Sequence, residues 1–467
     1  MNRFLPLIFS ITAFILSACA TRSVPLKVHE INSLSQIEDG QGQFKGLEFL
    51  ANVVPGDHKA RINIFYIHGI GWTENPDAEQ IAEDFLGGIA GAYGREVEGQ
   101  IIKTSCGEPT APGKAPANAI FLSPTIPKTY ETGLTGSSLT LDRFACLDKQ
   151  VLEVDPALEF VVYRVFWDDI FWNAFQFAHV GQDDAQGSSL PFAKLRRKYN
   201  RRLKDEMMNY GISDAVMYLG PAGEDIRFAI QGAICSAALD AAGYTFAQQA
   251  QGNEAREVDA HKVCQTASNT STISNQFAFV AESLGSKVVY DVLRENMNDG
   301  RDSIIDDIIS GSETYMLANQ IALLSLSDLQ LNGTRQRPTP SSLNERPKII
   351  AMSELNDFLT YELIPFYKQL YRRSNRADSS TDPDTAQARE NIANAIGFDV
   401  IDMRLEFADK IVPVLKGFVD PLQAHGGHSA EPELMLYMLC GAKDGKLHTE
   451  GCLATELADK DGKSKNR

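Results

Sequence analysis

The stretch FAFVAESLGSKVVYDVL, from Phe277 to Leu293, changes character at its centre. It runs apolar, turns through Glu282 to Gly285, and runs apolar again at a different period, which predicts a buried strand, a sharp turn and a helix. A serine at the apex of such a turn, here Ser283, points outward at the carboxyl edge of a sheet, where open α/β sheets bind ligands. The alternative is a serine in an ordinary strand-to-helix turn.

The turn also restricts the size of the residues next to it, because it brings the strand and the helix into contact. Small residues are needed two positions before and two positions after the serine. Ala281 and Gly285 stand at these positions. The usual pattern is G-x-S-x-G, so Ala281 departs from it by one methyl group.

Strand and helix signals alternate along the rest of the chain. RINIFYIHGIG (Arg61 to Gly71) and EFVVYRVFWDD (Glu159 to Asp169) are rich in β-branched and aromatic residues, and a helix-like segment lies between them near Ala78 to Ala92. Four later segments are also predicted as strands: AFVAES, ETYMLANQIALL, KIIAMSELND and GFDVIDMRLEF. This alternation predicts an α/β fold with a mostly parallel sheet covered by helices on both faces.

Three polar stretches interrupt the alternation. A Pro/Gly/Ser/Thr-rich stretch from about Ser105 to Ser138 and a solvated stretch from Tyr371 to Glu390 are predicted as loops. The stretch from Gly181 to Asn209 is polar and then basic, and is predicted as a charged surface helix.

The predicted organisation of the chain follows from these stretches. It comprises a leader 1–19, a tether with the first strand region 20–46, a domain 47–445 with insertions near 103–146, 181–210 and 371–391, and a C-terminal tail 446–467.

Composition narrows the class of protein. At 467 residues, 43% hydrophobic and 22% charged, the chain has enough apolar material for a large core. A net charge of −17 repels nucleic acid, so neither DNA nor RNA is an expected partner. Oligomeric state is not indicated by the sequence.

The first nineteen residues, MNRFLPLIFSITAFILSAC, are typical of a secretory signal, with an early Arg3 and an apolar run too short to span a membrane stably. The ending Leu16-Ser17-Ala18-Cys19 resembles the bacterial lipobox, in which the cysteine is lipidated. The next residue is Ala20 and not aspartate, which resembles the pattern of lipoproteins that are sorted to the outer membrane. An ordinary cleaved signal with an incidental Cys19 is the alternative. We expect attachment to the periplasmic face of the membrane by acyl chains.

An oxidising compartment makes disulfides the default for the remaining cysteines. Six cysteines allow 15 pairings, and we favour pairing between neighbours, which closes three irregular stretches. The six are Cys106, Cys146, Cys235, Cys264, Cys440 and Cys452.

A serine hydroxyl is a poor nucleophile unless an imidazole takes its proton and a carboxylate orients the imidazole. Downstream, Asp357 ends the segment KIIAMSELND, and His425 and His428 lie in VDPLQAHGGHSAEPEL. Upstream, His68-Gly69 ends a predicted strand, where a backbone amide can complete an oxyanion hole. The chain order Ser, Asp, His is that of the α/β-hydrolases.

From Leu47 to Gly441 the chain resembles the α/β-hydrolase superfamily, specifically its lipase/esterase-like serine hydrolases, through HGIG, AESLGS, ELND and AHGGH. The resemblance implies Ser283 as nucleophile, Asp357 as acid and His425 as base. It also implies the amides of Leu284 and of Gly69 or Ile70 as oxyanion donors, and no cofactor. His428 would stand at the family's aromatic position after the base.

Alternatives stay open at several residues. Glu354, Asp399 or Asp402 could replace Asp357 as the acid, and His428 could replace His425 as the base. The two histidines could also be metal ligands, although no cysteine or carboxylate accompanies them at ligand spacing. The basic segment 194–204 is predicted as a solvated face, a headgroup contact or a lid, and DIFWNAFQF (Asp169 to Phe177) as core or acyl pocket.

The sequence thus predicts a membrane-tethered periplasmic serine hydrolase that cleaves an ester, with lipid and acyl esters among the candidates, through an acyl-enzyme. The alternative is a non-catalytic envelope lipoprotein that uses a hydrolase-like fold as a binding or assembly module.

Overall fold

The structure is a computed structural model that describes residues 25–35, 42–53, 59–69, 76–95, 106, 118–124, 128–131, 138–141, 144–167, 213–250, 257–270, 277–298, 304–328, 346–374, 382–408, 419 and 421–457. Predictions that concern Cys19, Ile70, the stretch 169–177, the stretch 181–209 and the basic segment 194–204 lie outside these residues.

An 11-stranded mixed sheet forms the centre of the molecule. The strands of the described chain are β1 Lys27–Ser33, β2 Asn52–Val53, β3 Ala60–Ile67, β4 Ala119–Ser123, β5 Lys128–Glu131, β6 Ser138–Leu141, β7 Ala145–Asp155, β8 Leu158–Phe166, β9 Glu257–Asp259, β10 Phe277–Glu282, β11 Glu313–Leu317, β12 Lys348–Glu354, β13 Asp399–Glu406, β14 Ala442–Lys443 and β15 Lys446–Leu447.

The order of strands across the sheet is β1-β13-β12-β11-β10-β3-β8-β7-β4-β9, with β2 beside β3. The run from β13 to β8 is parallel throughout, whereas β1, β2 and β7 pair antiparallel with their neighbours. The strands β5 and β6, and β14 and β15, form separate two-stranded sheets. The prediction of an α/β fold with a mostly parallel sheet is confirmed.

The helices of the described chain connect and cover these strands. They are α1 Pro76–Ala92, α2 Ser213–Leu219, α3 Ala222–Ala241, α4 Phe246–Gln249, α5 Ala260–Ser268, α6 Leu284–Asn298, α7 Ile304–Ile309, α8 Ile321–Leu324, α9 Leu363–Ser374, α10 Ala386–Ile396, α11 Pro421–Gly426 and α12 Pro432–Cys440, with 3₁₀ turns at Leu47–Leu50 and Ser325–Asp328.

Every residue of β8, β10 and β11 is buried, as expected for central parallel strands covered on both faces. Alternate residues of these strands and of the neighbouring β3 face two separate apolar clusters. Phe65 and Phe279 pack on the side of α3 and α6, while Tyr66 and Val280 pack on the side of α1 and α12. The strand β10 therefore lies inside the core, and Ser283 follows its carboxyl end.

Two predicted loop boundaries are corrected by the structure. The stretch from Ser105 to Ser138 contains β4 and β5, because the short apolar run AIFLS pairs with both β7 and β9 in spite of its polar flanks. The stretch from Tyr371 to Glu390 is helical at both ends: α9 continues to Ser374, and α10 begins after Thr385, whose hydroxyl accepts from the amide of Ala388.

One predicted strand and one predicted loop also change. The strand in ETYMLANQIALL ends at Leu317, and the chain turns at Ala318 (φ 51°) into α8. The loop after β13 contains the short helix α11, with His425 in its last turn.

The six cysteines are paired between neighbours. Cys106 joins Cys146, Cys235 joins Cys264, and Cys440 joins Cys452, with Cα separations of 5.8, 5.0 and 5.4 Å. The last pair fixes a segment that the sequence predicts as a tail. Cys452 and Ala454 are buried in the core, and the carboxylate of Glu48 accepts hydrogen bonds from the amides of Leu453 and Ala454.

Within the described ranges, no helix has both the length and the apolar character that crossing a membrane requires.

Candidate active site

The turn at the end of β10 has the strained backbone that the sequence predicts. Ser283 has φ 49°, a left-handed conformation that costs a non-glycine residue on the order of 1–3 kcal/mol. Its amide donates to the carbonyl of Leu317 on β11 (2.9 Å), and its carbonyl accepts from the hydroxyl of Ser286 (2.5 Å). These bonds hold the serine at the apex between strand and helix.

Close packing around the turn explains its glycines. A Cβ on Gly285 would lie 2.5 Å from the carbonyl oxygen of His68 and 2.9 Å from that of Ile67, so only glycine fits where α6 crosses the end of β3. A Cβ on Gly69 would lie 2.6 Å from Cβ of Ser283. Ala281 is fully buried, and its methyl group is accommodated where the usual pattern has glycine.

A continuous hydrogen-bond chain joins three residues from three different loops. Ser283 Oγ lies 2.7 Å from His425 Nε2, and His425 Nδ1 lies 2.8 Å from Asp357 Oδ2. Because a carboxylate only accepts, Nδ1 carries the proton and Nε2 is left to accept the serine hydroxyl. The base is thereby oriented toward the nucleophile in the tautomer that can take its proton.

The side chain of Asp357 is fully buried next to this imidazole. Burial by itself would raise the pKa of Asp357, but the hydrogen bond and charge interaction with His425 outweigh burial, helped by the Thr360 hydroxyl and the Leu359 amide, and the pKa lies below its usual value. The carboxylate is therefore ionised at neutral pH and can stabilise an imidazolium.

The second histidine of the loop does not reach the serine. The ring of His428 is buried, with Nδ1 3.2 Å from the carbonyl oxygen of His425 and its ring plane edge-on to Phe407 at 5.0 Å. Burial lowers the pKa of His428 to about 4. It lies next to His425 as a neutral ring, at the position where the resemblance to the α/β-hydrolases implies an aromatic residue.

The three alternative acids have other partners. Asp402 accepts from the amides of Leu363 and Ile364 at the start of α9. Asp399 accepts a hydrogen bond from the guanidinium of Arg346. Glu354 accepts a hydrogen bond from the side-chain amide of Asn356. Within the described chain it is Asp357 that is hydrogen-bonded to His425. His425 and His428 also do not form a pair of metal ligands in this structure, since both ring nitrogens of His425 are hydrogen-bonded, one to Ser283 and the other to Asp357.

Two predicted oxyanion donors flank the serine. Leu284 is the first residue of α6, where backbone amides lack a partner within the helix and the helix dipole favours negative charge. Gly69 lies directly against Ser283 at the end of β3. His68 is buried, stacks on Trp167 at 5.8 Å, and contacts the carbonyl of Gly69 through Nδ1 (2.9 Å), so it shapes this loop.

Two buried polar residues at the site are not predicted by the sequence. Gln320 Nε2 lies 2.8 Å from Ser283 Oγ. Glu282, which precedes the serine, accepts a hydrogen bond from the Ser429 hydroxyl and so ties the turn to the histidine loop. Burial raises the pKa of Glu282 to about 7. The left-handed conformation of Ala318, just after β11, brings Gln320 to the site. The sequence does not predict this turn, because the run ETYMLANQIALL resembles one long strand.

Comparisons of this chain with protein-family models, with curated proteins and with solved structures gave no match.

Proposed function

We propose that this protein is a serine hydrolase that cleaves a carboxylic ester through an acyl-enzyme. The observation that carries the proposal is the hydrogen-bond chain from Ser283 through His425 to Asp357. The strained turn at Ser283 supports it, because such strain persists where surrounding structure holds a residue in a functional position.

The reaction follows from the roles of these atoms. Ser283 Oγ attacks the carbonyl carbon of the ester while His425 Nε2 takes its proton, and Leu284 and Gly69 offer amides to the carbonyl oxygen as it becomes negative. The intermediate collapses, the bond to the leaving alcohol breaks, and His425 protonates that oxygen. Water then attacks the acyl carbon with His425 again as base, which releases the carboxylic acid and restores the serine.

The fold we propose is that of the α/β-hydrolases. The nucleophile follows β10 at the centre of the sheet, the acid follows β12 two strands away, and the base follows β13, in the chain order Ser, Asp, His. The strand β3, whose end carries Gly69, lies directly beside β10. Parallel strands bring all these ends to one edge.

The substrate we propose carries an apolar acyl group, with lipid esters included. The loop that supplies Asp357 exposes three large apolar side chains around it: Leu355, Phe358 and Tyr361 are 50%, 46% and 48% exposed. Apolar side chains exposed together mark interaction surfaces more often than isolated ones do. At the mouth of the site they would contact an acyl chain.

We also propose that acyl chains on Cys19 hold the protein at the envelope membrane. Cys19→Ser should release the mature protein from the membrane fraction, which fractionation followed by immunoblotting would measure. Retention of the variant in the membrane fraction would contradict the anchor and leave the hydrolase proposal intact.

Ester turnover tests the hydrolase directly. Purified protein that lacks residues 1–19 should hydrolyse p-nitrophenyl esters of graded acyl length, and Ser283→Ala should not, with its melting temperature within a few degrees of wild type. If the wild-type protein binds acyl chains but turns over none of the esters, the alternative of a binding or assembly module is favoured.

A further inference from the structure

The segment after β11 is held in an unusual conformation next to the nucleophile. Ala318 has φ 51° without being glycine, and its amide donates to the carbonyl of Met352 at 3.3 Å. Ser283 has the same left-handed backbone at the end of the neighbouring strand β10. A left-handed alanine is strained, and here the strand ends at this turn and Gln320 reaches the serine.

Both residues after this turn are buried and fixed by hydrogen bonds. The amide of Gln320 donates to Ser286 Oγ (3.1 Å), and that hydroxyl donates to the carbonyl of Ser283. The side-chain amide of Asn319 donates to Ser353 Oγ (3.3 Å) and to the carbonyl of Tyr361 (3.2 Å) on the acid loop. The position of Gln320 is therefore set from both the nucleophile turn and the acid loop.

The chemistry of the serine hydroxyl decides which atom of Gln320 faces it. Ser283 Oγ has one hydrogen, and that hydrogen is donated to His425 Nε2. The atom of Gln320 at 2.8 Å must then be a donor, which is its NH₂ group. Oγ thus donates to the base and accepts from Gln320.

Gln320 and Gly69 approach the nucleophile from strands on opposite sides of β10. The strand β10 runs between β3 and β11. Gly69 ends the β3 side, whereas Gln320 follows β11. Its NH₂ group is directed at the nucleophile oxygen itself, whereas the carbonyl oxygen of a substrate would be bound by other donors, the backbone amides of Leu284 and Gly69.

We propose that Gln320 is a further catalytic residue, whose side-chain amide stabilises negative charge on Ser283 Oγ when the serine attacks and when it departs. This inference rests on the proposed function.

The charge on Oγ appears twice in the cycle. As Oγ gives its proton to His425 and forms the bond to the acyl carbon, the amide of Gln320 donates to the oxygen that is losing its hydrogen. When the acyl-enzyme is hydrolysed, the bond between Oγ and the acyl carbon breaks, its electron pair goes to Oγ, and His425 returns a proton there. Charge-assisted hydrogen bonds are about twice as strong as neutral ones, so the donor favours both steps.

The test compares two variants of Gln320 with a matched control. Gln320→Met keeps the volume of the side chain and removes the donor. Gln231→Met removes a glutamine whose side chain also donates a hydrogen bond, to Asn296, on a helix away from the site. For each protein we would measure melting temperature, kcat and KM for an ester, and the second-order rate of labelling by a fluorophosphonate.

We expect Gln320→Met to lower kcat and the labelling rate about ten- to a hundredfold with little change in KM, as for loss of a hydrogen bond to a charged group. The control should stay within twofold of wild type. Gln320→Glu adds a readout that a structural role would not move. Its introduced carboxyl can donate only when protonated, so its activity relative to wild type should rise as pH falls.

The outcomes separate the inference from the function it rests on. If wild type is labelled and Gln320→Met, folded as wild type, is labelled equally fast, Gln320 is not catalytic while the hydrolase stands. A pH-independent ratio of Gln320→Glu to wild type would also overturn the role of the donor. If wild type is neither labelled nor active on esters, the proposed function fails, and the inference fails with it.

Discussion

His425 Nε2 lies 2.7 Å from Ser283 Oγ, although 142 residues separate the two along the chain. Each residue lies in the segment that follows a strand in the parallel part of the sheet, β10 for the serine and β13 for the histidine. The carboxyl ends of parallel strands share an edge, so the fold itself brings the two side chains together.

The identity of the base can be tested by replacing each of the two histidines of the same loop with alanine in turn. His425→Ala should lower kcat by up to about a million-fold, because the nucleophile loses its proton acceptor. His428→Ala should cost only a few-fold, since the neutral ring of His428 packs against the base without reaching the serine. Steady-state kinetics on both variants would decide the matter. An inactive His428→Ala beside an active His425→Ala would show the assignment to be wrong.

The close approach of α6 to β3 makes Gly285 essential. Gly285→Ala should destabilise the protein by about 1–3 kcal/mol, because the new methyl group meets two backbone carbonyls that cannot move independently. It should also lower kcat by displacing the Leu284 amide. Gly91→Ala is the matched control: its Cβ meets nothing within 4 Å, and alanine in α1 should add up to about 1 kcal/mol. Urea unfolding that ranks Gly285→Ala as stable as Gly91→Ala would contradict this packing.

The buried Glu282 predicts a pH dependence of stability. Its pKa is raised from 4.5 to about 7 by burial, so the folded state holds a proton that the unfolded state has released. The corresponding stability is fully present below pH 4.5 and is lost as pH rises through about 7. Glu282→Gln cannot ionise and should gain stability over wild type on going from pH 5 to pH 8, by up to about 3 kcal/mol. Unfolding at the two pH values would measure this gain, with the surface variant Glu153→Gln as control. An equal difference at both pH values would argue against a buried, proton-binding Glu282.

The disulfide between Cys440 and Cys452 joins α12 to the end of the described chain. Replacing both cysteines with alanine should lower the free energy of unfolding by about 3 kcal/mol in the chain-entropy model for a loop of this length. Peptide mapping without reductant should recover the two cysteines as one linked fragment. Recovery of both as free thiols would disprove the pairing.

Much of this architecture can be predicted from residue patterns. Fully apolar runs such as Phe277 to Ala281 predict buried parallel strands, and polar residues just past their ends predict what meets at the edge of the sheet. The chain order Ser, Asp, His and the resemblance to the α/β-hydrolases together predict Ser283, Asp357 and His425 in one place, with His428 as an alternative base and three other carboxylates as alternative acids. The strand β4 was not predicted because its four apolar residues, Ala119 to Leu122, lie within a stretch dominated by proline, glycine, serine and threonine.

The contacts that were not predicted depend on backbone conformations and loop packing, which the spacing of apolar residues along the sequence does not indicate. Gln320 reaches the serine through the left-handed turn at Ala318. Position 318 is an alanine, whereas glycine or asparagine is the residue that usually indicates a left-handed conformation. The hydrogen bond between Glu282 and Ser429 joins two loops that are far apart in the chain, and it depends on how the histidine loop packs against the nucleophile turn.

Ser283 is the nucleophile of the proposed reaction, and covalent labelling with a fluorophosphonate tests this role. Wild-type protein treated with a fluorophosphonate should gain one adduct per chain by intact mass, and peptide mapping should place the adduct on Ser283. Ser283→Ala should remain unlabelled, and His425→Ala should be labelled far more slowly than wild type. An unmodified wild-type protein, or an adduct that persists in Ser283→Ala, would show that Ser283 is not the nucleophile.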